Sequence, residues 1–323
     1  MRVALLAGGT GGAKLAAGVQ ELVGPDLSVI ANTADDTRIH GLYVSPDPDL
    51  VTYWLAGEID EERGWGIRDD TFVVNERLER LGAPGWFQLS DRDLATCLYR
   101  THFMAEGGTL TAAQAQIARS LGATARVLPI AEERVATRVL TPAGWRGLQE
   151  FLIVDRSEPE IEAVEVQGIA DASPTPEVLE ALAAAEAIVI GPSNPVISIG
   201  PILSVPGLRE AMSSSGAPIV AVPGLREAMM GSGVPIVAVS PFVAGRAVKG
   251  PTEKFMAAVR RPSSAAGVAS LYEGLISAMV VDADDPDEGP EGVQVLSCPT
   301  LMEGADGRRE LAERVLEFAE ALG

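Results

Sequence analysis

The chain opens with a short apolar strand that runs directly into a glycine-rich turn and then a helical pattern, RVALLAGGTGGAKLAAGVQELV, from Arg2 to Val23. Four of the five residues from Gly8 to Gly12 are glycines, which lets the backbone approach a ligand closely. The helix predicted to follow, from about Ala13, directs free N–H groups and the positive end of its dipole at the same point. Such a turn is typical of a phosphate site. The sequence therefore predicts a nucleotide or another phosphorylated ligand.

The turn differs from two common phosphate motifs. A Walker A loop, GxxxxGK followed by Ser or Thr, does not match because Lys14 is followed by Leu15. The dinucleotide fingerprint GxGxxG does not match either. Gly9 and Gly11 can be its first two glycines, but Lys14 occupies the position of the third. The pattern thus indicates phosphate binding, with a purely structural tight turn as the alternative. It identifies neither a Walker-type nucleotidase nor a nicotinamide enzyme.

Charge and composition restrict the partners. The 323 residues carry a formal net charge of −20, which repels nucleic acid and anionic membranes, so we expect neither as a partner. Cys97 and Cys298 are the only cysteines and have no CxxC spacing, and the chain has two histidines. A bound metal would therefore be held mainly by carboxylates, which favours Mg²⁺ or Mn²⁺ over Zn²⁺. With no signal peptide and no apolar run of membrane-spanning length, we expect a cytoplasmic protein.

Alternating strand and helix patterns predict the fold. Strands at Val3–Ala7 and Leu27–Asn32 enclose the first helix, and the same rhythm returns with a helix at Pro176–Ala185 and a strand at Ala187–Ile190. We predict an α/β fold with a Rossmann-like three-layer core and a mostly parallel sheet. The core would comprise residues 1–60 and 170–323. Residues 61–169 would form an inserted helical and β-hairpin subdomain.

A tandem repeat interrupts the second half of the core. Residues 205–221, VPGLREAMSSSGAPIVA, are repeated as residues 222–238, with 14 of 17 positions identical. Each copy has the pattern of a short helix followed by a strand. A recent duplication without a function of its own explains the repeat. The first copy would add a strand or form a loop, while the second continues the core.

Carboxylates cluster after the second predicted strand. Asp35 and Asp36, in NTADD, suit a hard cation beside a phosphate. In a dinucleotide enzyme they would instead bind ribose hydroxyls, and they could also be ordinary turn residues. In the following segment, HGLYVSPDPD, we interpret Asp49 as a functional acid at the start of a helix and Asp47 as a turn residue.

Other polar residues follow later strands or begin helices. Ser193 and Asn194, in GPSNP after a predicted strand, offer donors and acceptors to a base or ribose. Asp91 and Asp93 begin a helix, where acids are ordinary partners of the helix dipole. No Ser–His–Asp set or reactive thiol stands out in the sequence. The residues suit phosphoryl transfer without a covalent enzyme intermediate.

Six segments together resemble the CofD family, known in actinobacteria as FbiA: LAGGTGGAKL, NTADD, HGLYVSPDPD, WGIRDDTF, SDRDLAT and GPSNPVISIGPIL. The resemblance implies a 2-phospho-L-lactate or phosphoenolpyruvate transferase of coenzyme F-420 biosynthesis. In such enzymes the terminal ribityl hydroxyl of the deazaflavin Fo attacks a guanosine diphosphate conjugate of lactate or enolpyruvate. GMP leaves, and Mg²⁺ is required. We also expect a homodimer.

The resemblance also implies roles for individual residues. Asp35, Asp36 and Asp49 would be catalytic and would hold Mg²⁺. The substrate-binding residues would be Gly8, Gly9, Thr10, Gly11, Gly12, Lys14, Asn32, His40, Gln88, Ser193 and Asn194. Gln88 stands where relatives often carry a basic residue that touches Fo, and Cys97 stands where a histidine usually ends the DRDxAT string. On this basis Asp49→Ala would abolish transfer and leave the fold intact.

Two other functions compete with this one. A nucleotide-sugar-binding regulator of the YvcK type shares the glycine turn and the ADD segment but would show no turnover with Fo. It is disfavoured by SPDPD, SDRDLAT and GPSNP, which match the transferases. A nicotinamide-dependent oxidoreductase is disfavoured by the absent third glycine and the surplus of carboxylates.

Overall fold

The computed structural model describes residues 1–215, 233–286 and 289–323. Its helices are α1 (Gly9–Val23), α2 (Pro46–Ala56), α3 (Val73–Arg80), α4 (Asp91–Ala105), α5 (Leu110–Leu121), α6 (Pro176–Ala184), α7 (Ile199–Ser204), α8 (Leu208–Ser213), α9 (Thr252–Ala258), α10 (Ala265–Leu271) and α11 (Gly304–Leu322). Its strands are β1 (Val3–Ala7), β2 (Leu27–Ala31), β3 (Thr37–Ile39), β4 (Leu42–Val44), β5 (Arg126–Pro129), β6 (Ala136–Thr141), β7 (Gly144–Gly147), β8 (Ala163–Gln167), β9 (Ala187–Ile190), β10 (Ile236–Val239), β11 (Phe242–Val243), β12 (Arg246–Ala247), β13 (Ala278–Asp282) and β14 (Gln294–Cys298).

A parallel sheet forms the centre of the fold. Within the described residues it contains seven strands in the order β14-β13-β10-β9-β1-β2-β5. β1 pairs in parallel with β2 on one side and with β9 on the other, so that Leu5 lies beside both Val29 and Val189. Every residue of β1, β2, β9, β10 and β13 is buried. Continuous apolar strands of this kind are typical of a parallel sheet covered on both faces.

Helices cover the two faces of the sheet with separate cores. On one face, Leu15 of α1, Val51 of α2 and Leu311 of α11 share a buried cluster with the sheet. On the other face, Leu182 of α6 and Val268 of α10 belong to a second cluster. The predicted Rossmann-like three-layer α/β architecture is therefore confirmed.

The strand order places a crevice at the centre of the sheet. From β1 the chain builds outward through β2 and β5, and it then returns to β9 on the opposite side of β1. At such a reversal the loops after the two central strands diverge, and ligands bind between them in open α/β sheets. Here these loops are the glycine turn that begins at Gly8 and the segment from Gly191 to Asn194. Within the described residues, no helix has the length and apolarity needed to cross a membrane.

Two helices begin earlier than predicted. α1 starts at Gly9 instead of about Ala13, so Thr10, Gly11 and Gly12 form its first turn. α2 starts at Pro46, a residue type whose fixed backbone angle favours the first helical position. Asp47 and Asp49 thereby both lie in the first turn of α2. The interpretation of Asp47 as a turn residue was therefore wrong, because this acid lies within the helix.

The segment 61–169 contributes both a separate sheet and a strand of the central sheet. β6 pairs antiparallel with β7 and β8, and the β6–β7 hairpin turns at the sequence TPAG, residues 141–144. β5 pairs in parallel with β2 and forms the edge of the central sheet. One strand from the predicted insert is therefore part of the core sheet.

The described part of the structure contains one helix from the first copy of the repeat and one strand from the second. α8 comes from the first copy, and β10 comes from the second. The rest, including whether the first copy adds a strand or a loop, lies outside the described residues. The two described ends lie side by side, because the amide of Val234 donates to the carbonyl oxygen of Ser215 at 3.2 Å.

We expect a variant lacking residues 216–232 to fold with the central sheet intact. Because Ser215 and Val234 are already in contact, the deletion joins neighbouring ends, and the free energy of unfolding changes by less than about 2 kcal/mol. Calorimetry of the purified variant and of the unmodified protein measures the Tm of each. Insoluble protein, or a Tm lower by more than about 8 °C, would show that the removed residues hold the sheet together.

Candidate active site

Three clefts meet at Asp35, at the carboxyl edge of the sheet. The glycine cleft, of about 560 Å³, is lined by the start of α1 and by the loop after β9, including Gly9 and Ser193. The aromatic pocket, of about 600 Å³, is lined by Trp65, Trp86 and other apolar residues. A third cleft, of about 400 Å³, lies against β6 and β7. Asp35 lines all three.

The glycines of the turn meet two structural requirements. Gly9 has a φ of +63°, in the region that favours glycine. A Cβ on Gly11 would lie 2.1 Å from the carbonyl oxygen of Pro192, and a Cβ on Gly12 would lie 2.4 Å from Ser193 Oγ. These glycines therefore let α1 pack closely against the loop after β9. The same packing leaves the unpaired N–H groups of the first turn of α1 at the cleft.

Two lysines bring positive charge to the glycine cleft. Lys14 Nζ lies 5.5 Å from the centre of the Trp54 ring and donates to the carbonyl oxygen of Met302 at 3.3 Å. Lys249 Nζ donates to Thr10 Oγ1 at 3.1 Å. Burial, and then the charge of Lys14, lowers the pKa of Lys249. An anion between these ammonium groups would relieve that repulsion, so the cleft suits phosphate.

Ser193 and Asn194 line the glycine cleft but also hold its loops. Ser193 Oγ accepts from the amide of Gly8 at 3.1 Å. Asn194 Oδ1 accepts from the amides of Val196 and Ile197 at 2.9 and 3.2 Å. The acceptor oxygen of Asn194 is thus used within its own turn, and its Nδ2 group donates to Thr252 Oγ1 at 3.3 Å. One N–H of that amide remains the better candidate for a ligand contact.

A buried amide holds two carboxylates together at the junction of the clefts. Asn32 Nδ2 donates to Asp35 Oδ1 at 3.0 Å and to Asp47 Oδ2 at 2.9 Å. Asp47 Oδ1 also accepts from the amide of Gly9 at 2.6 Å, which ties this acid to the start of α1. Asp35 and Asp47 line both the glycine cleft and the aromatic pocket. The two acids form the shared wall of those cavities.

Burial disfavours the charged forms of both acids. It raises the pKa of Asp47 to about 6. Burial, followed by the charge of Asp47, raises the pKa of Asp35 well above its ordinary value. Neither carboxylate forms an ion pair with Lys or Arg in the described part of the chain. A cation at this point would stabilise both charged forms.

Asp36 is held by two hydroxyl groups. Tyr43 donates to its Oδ2 and Ser45 donates to its Oδ1, each at 2.8 Å. Burial raises the pKa of Asp36 to about 8. Asp36 lines the third cleft and neither of the other two. Its contacts fix the β3–β4 segment, whereas Asp35 faces the junction.

Asp49 forms a buried ion pair with Arg100. Arg100 Nη2 donates to Asp49 Oδ1, and the same guanidinium donates to Gln114 Oε1 at 3.1 Å and to the carbonyl oxygen of Tyr43 at 3.3 Å. The side chain of Arg100 is 0% exposed and that of Asp49 is 5% exposed. Asp49 Oδ2 is buried and has no hydrogen-bond partner among the described residues. One oxygen of this acid is therefore left for a ligand.

A second acid lies next to Asp49 in the aromatic pocket. Asp93 Oδ1 accepts from the hydroxyl of Tyr53 at 2.7 Å. Burial, and then the charge of Asp49, raises the pKa of Asp93 to about 7. Ligand atoms of Asp49, Asp93 and Cys97 lie within 4.8 Å of one another. Burial raises the pKa of the Cys97 thiol, so this sulfur is neutral and a poor nucleophile.

Large rings form the rest of the aromatic pocket. Trp65, Trp86 and Phe87 line it together with Leu50 and Leu89. Trp65 is 40% exposed, so one ring remains open to a ligand. Aromatic walls of this kind bind planar rings by stacking. The pocket thus combines a surface for a flat molecule with the carboxylates of Asp35, Asp47, Asp49 and Asp93.

The structure brings most of the predicted site residues together. Around the junction lie Gly8, Gly9, Thr10, Gly11, Lys14, Asn32, Asp35, Asp49, Gln88, Ser193 and Asn194. Gly12 is buried behind the cleft against Ser193. His40 is exposed in the turn between β3 and β4 and lines none of the three described clefts.

Three functional candidates were missed or undervalued in the sequence. Asp47 was interpreted as a turn residue, although Pro46 could have placed it in the first turn of a helix beside Asp49. Asp93 was interpreted as a partner of the helix dipole. Arg100 carries no local signal, because its importance comes from a contact with Asp49, 51 residues earlier in the chain.

The donor atoms at the junction fit a hard cation. Asp35 and Asp47 supply carboxylate oxygens at the junction, and Asp49 supplies one from the adjoining aromatic pocket. Carboxylate oxygens are the ligand type that Mg²⁺ prefers. Asp49 Oδ2 is buried without a hydrogen-bond partner among the described residues, and Asp35 and Asp47 lie next to each other without a described cationic partner. The first feature leaves a carboxylate oxygen free for a ligand, and the second leaves two carboxyl groups whose charge a divalent cation would neutralise. The residues therefore fit Mg²⁺.

The buried acids predict the pH dependence of stability. The folded-state pKa values of Asp36, Asp47 and Asp93, at about 8, 6 and 7, lie above the ordinary value of 3.8. The folded state therefore binds more protons than the unfolded state between these limits. We expect the free energy of unfolding in metal-free buffer to fall as the pH rises from about 4 to 8.

Urea unfolding at several pH values, with a chelator present, measures this dependence. Asp36→Asn should make the curve flatter above pH 6, since it removes the acid with the highest of these pKa values. A free energy of unfolding that rises steadily from pH 5 to pH 8 would contradict the prediction.

The chain is similar in sequence to known transferases. Residues 3–223 match the family model described as 2-phospho-L-lactate transferase CofD. The chain is 39% identical to a phosphoenolpyruvate transferase of Streptomyces griseus, with 99% of each chain covered. It is 36% identical to a 2-phospho-L-lactate transferase of Methanosarcina mazei, with 97% of this chain and 99% of that one covered.

A crystal structure shows the same fold at lower similarity. A protein of the UPF0052 family from Bacillus halodurans superimposes with a TM-score of 0.61 at 17% identity, and 98% of each chain is covered. The extent of the family match and the identity to full-length relatives exceed what a shared fold alone produces. The chain therefore belongs to the CofD family of transferases.

Proposed function

We propose that this transferase moves a 2-phospho-L-lactyl or phosphoenolpyruvyl group from its guanosine diphosphate conjugate to the terminal ribityl hydroxyl of the deazaflavin Fo. GMP would be released, and the product would be coenzyme F-420-0 or its dehydro form. The observation that carries this proposal is the shared wall of two cavities. Asp35 and Asp47 separate a phosphate-binding cleft from an aromatic pocket, so a phosphorylated donor and a planar acceptor would meet at these acids.

The glycine cleft would bind the donor. The N–H groups in the first turn of α1, with Lys14 and Lys249, would hold its phosphates. The loop that contains Ser193 and Asn194 would face the guanosine. In a chain of net charge −20, these local donors supply the attraction that the overall charge does not.

The aromatic pocket would bind the acceptor. Trp65 and Trp86 offer faces for stacking of the deazaflavin ring, while the ribityl chain would extend towards Asp49 and Asp93. Gln88, which lines this pocket, would supply a neutral contact where relatives often carry a basic residue.

The transfer would be a single displacement at phosphorus. The hydroxyl oxygen of Fo forms the new P–O bond, the bond from that phosphorus to the oxygen of GMP breaks, and GMP leaves with the electron pair. Asp93 would accept the hydroxyl proton, because burial places its pKa near 7 and its Oδ2 is not used by Tyr53. The two cavities would align the reacting atoms, which is a large part of catalysis in phosphoryl transfer.

Asp35, Asp47 and Asp49 would hold Mg²⁺. Asp36 would fix the chain between Asp35 and Asp47 through its hydrogen bonds from Tyr43 and Ser45. When bound, the ion neutralises charge on the phosphate oxygens. Arg100 would keep Asp49 in place, since the guanidinium fixes one oxygen of that carboxylate and leaves the other available.

Incubation with Fo, Mg²⁺ and each candidate donor tests the proposal. Mass spectrometry should detect a product that contains Fo, the phosphate and the three-carbon acid, together with an equal amount of GMP. The lactyl and enolpyruvyl products differ by two hydrogens, so the same experiment identifies the donor. Tight binding of the nucleotide without any transfer to Fo would contradict the proposal and favour a regulator.

A further inference from the structure

The third cleft contains an unusual concentration of arginine. Arg38, Arg134, Arg138 and Arg146 line it, and we call it the arginine cleft. The whole chain has 25 lysines and arginines against 45 acids. Four arginines around one cavity therefore form a local cationic site on an acidic protein. The functions assigned so far to the glycine cleft and the aromatic pocket do not use it.

Two of the four arginines have charge available for a ligand. Arg138 pairs with Glu165 at 3.0 Å and lies 4.4 Å from the centre of the Trp145 ring, and Arg146 pairs with Asp155 at 3.2 Å. Arg38 and Arg134 form no ion pair with the described residues. The paired arginines build the wall, and the other two can bind an anion.

A buried hydroxyl in the same cleft also lacks a partner. Thr137 lines the cleft and is 4% exposed. Its Oγ1 is buried and makes no hydrogen bond within the described residues. Buried polar atoms in folded proteins are nearly always hydrogen-bonded, so an unpaired one calls for an explanation. An oxygen atom of a ligand in the cleft would satisfy it.

The arginine cleft is continuous with the proposed reaction site. It shares Asp35 with both other cavities, and it shares Trp86 and Gln149 with the aromatic pocket. Arg38 lies 5.9 Å from the centre of the Tyr43 ring, whose hydroxyl donates to Asp36. The cleft is thus a third branch from the point where donor and acceptor would meet.

Acids restrict where an anion can lie in this branch. Asp35, Asp36 and Glu150 also line the cleft. Both oxygens of Asp36 accept hydrogen bonds from hydroxyl groups, and Asp35 lies at the junction. A ligand with one anionic end would therefore place that end near Arg38 and Arg134, away from the carboxylates.

We propose that the arginine cleft binds the carboxylate of the three-carbon acid in the donor. This inference rests on the proposed function. The phosphorus that is transferred carries a leaving nucleotide, an incoming hydroxyl and the ester that it keeps. The glycine cleft would hold the leaving nucleotide, and the aromatic pocket would hold the molecule with the incoming hydroxyl. The retained ester then extends into the third branch, where Arg38, Arg134 and Thr137 bind its carboxylate.

The test compares the donor, which contains the three-carbon acid, with Fo and GDP, which lack it. Arg134→Ala and the double variant Arg38→Ala/Arg134→Ala should raise the KM for the donor at least tenfold, as expected for loss of a charged hydrogen bond. The KM for Fo and the Kd for GDP, which has no carboxylate, should stay within twofold. Arg119→Ala is the matched control, because Arg119 lies on α5 and its side chain hydrogen-bonds only to Gln116 among the described residues.

A binding measurement decides the inference independently of turnover. Calorimetry with phosphoenolpyruvate alone should show tighter binding than inorganic phosphate to the unmodified protein, and Arg134→Ala should remove that difference. An unchanged donor KM, an equal loss of GDP affinity, or an increase only in the KM for Fo would overturn the inference. Absence of transfer by the unmodified protein would instead refute the proposed function, and the phosphoenolpyruvate comparison would still decide the role of the cleft.

Discussion

Asp49→Ala is expected to lower the free energy of unfolding by about 3–5 kcal/mol, because it leaves the guanidinium of Arg100 buried without its counter-ion. This corresponds to a drop in Tm of about 5–15 °C. The same change removes a proposed Mg²⁺ ligand, so transfer should also be lost. The buried ion pair thus predicts a destabilised variant, where the sequence alone led us to expect an intact fold.

A second variant separates the two effects of Asp49. In Asp49→Leu/Arg100→Met both charges are replaced by apolar side chains, and replacement of a buried ion pair in this way is often neutral for stability. We expect the double variant to regain at least about 2 kcal/mol of the loss and to remain inactive. Calorimetry and the transfer assay, run on the same preparations, measure both quantities. Recovery of activity together with stability would show that Asp49 is only structural.

Asp47→Asn is expected to reduce the rate of transfer by about 10²–10³-fold, the usual effect of removing one preorganised electrostatic contact. The new amide oxygen can still accept from the amide of Gly9, but the charge is lost and the amide N–H₂ group faces that of Asn32. The loss of stability should be small, about 1 kcal/mol, because one hydrogen bond is lost.

The response to Mg²⁺ distinguishes a ligand from a structural contact. If Asp47 holds the ion, the concentration of Mg²⁺ that gives half-maximal activity should rise at least tenfold in Asp47→Asn. Asp26→Asn is the control, since Asp26 is exposed in a short turn before β2. Transfer by Asp47→Asn within threefold of the unmodified protein would exclude the role proposed for this acid.

Local patterns were sufficient for the main elements of the fold. The apolar run of β1, the glycine turn and the helical pattern of α1 follow one another within 23 residues, and each is recognisable without reference to the rest of the chain. β5 was harder to predict. Its four residues lie between α5 and the β6–β7 hairpin, and only pairing with β2 makes them part of the central sheet.

The candidate site was predictable where its residues follow central strands. Asp35 comes after β2 and Ser193 comes after β9, and parallel strands bring both to the same edge of the sheet. The division of work among the acids was not predictable. Asp36 is adjacent to Asp35, but its oxygens are occupied by Tyr43 and Ser45, whereas Asp47 reaches the junction through Asn32.

The sequence by itself determined the fold class, the position of a phosphate site at the first strand–helix turn and the oxygen chemistry of a carboxylate-rich site. These properties depend on the spacing of residues that are close in the chain. The tertiary structure decided which carboxylates share the junction, that Arg100 neutralises Asp49, and that four arginines from β3, β7 and the segment around the start of β6 line one cleft. Strand order and burial set these contacts, because they bring distant residues together and remove them from water.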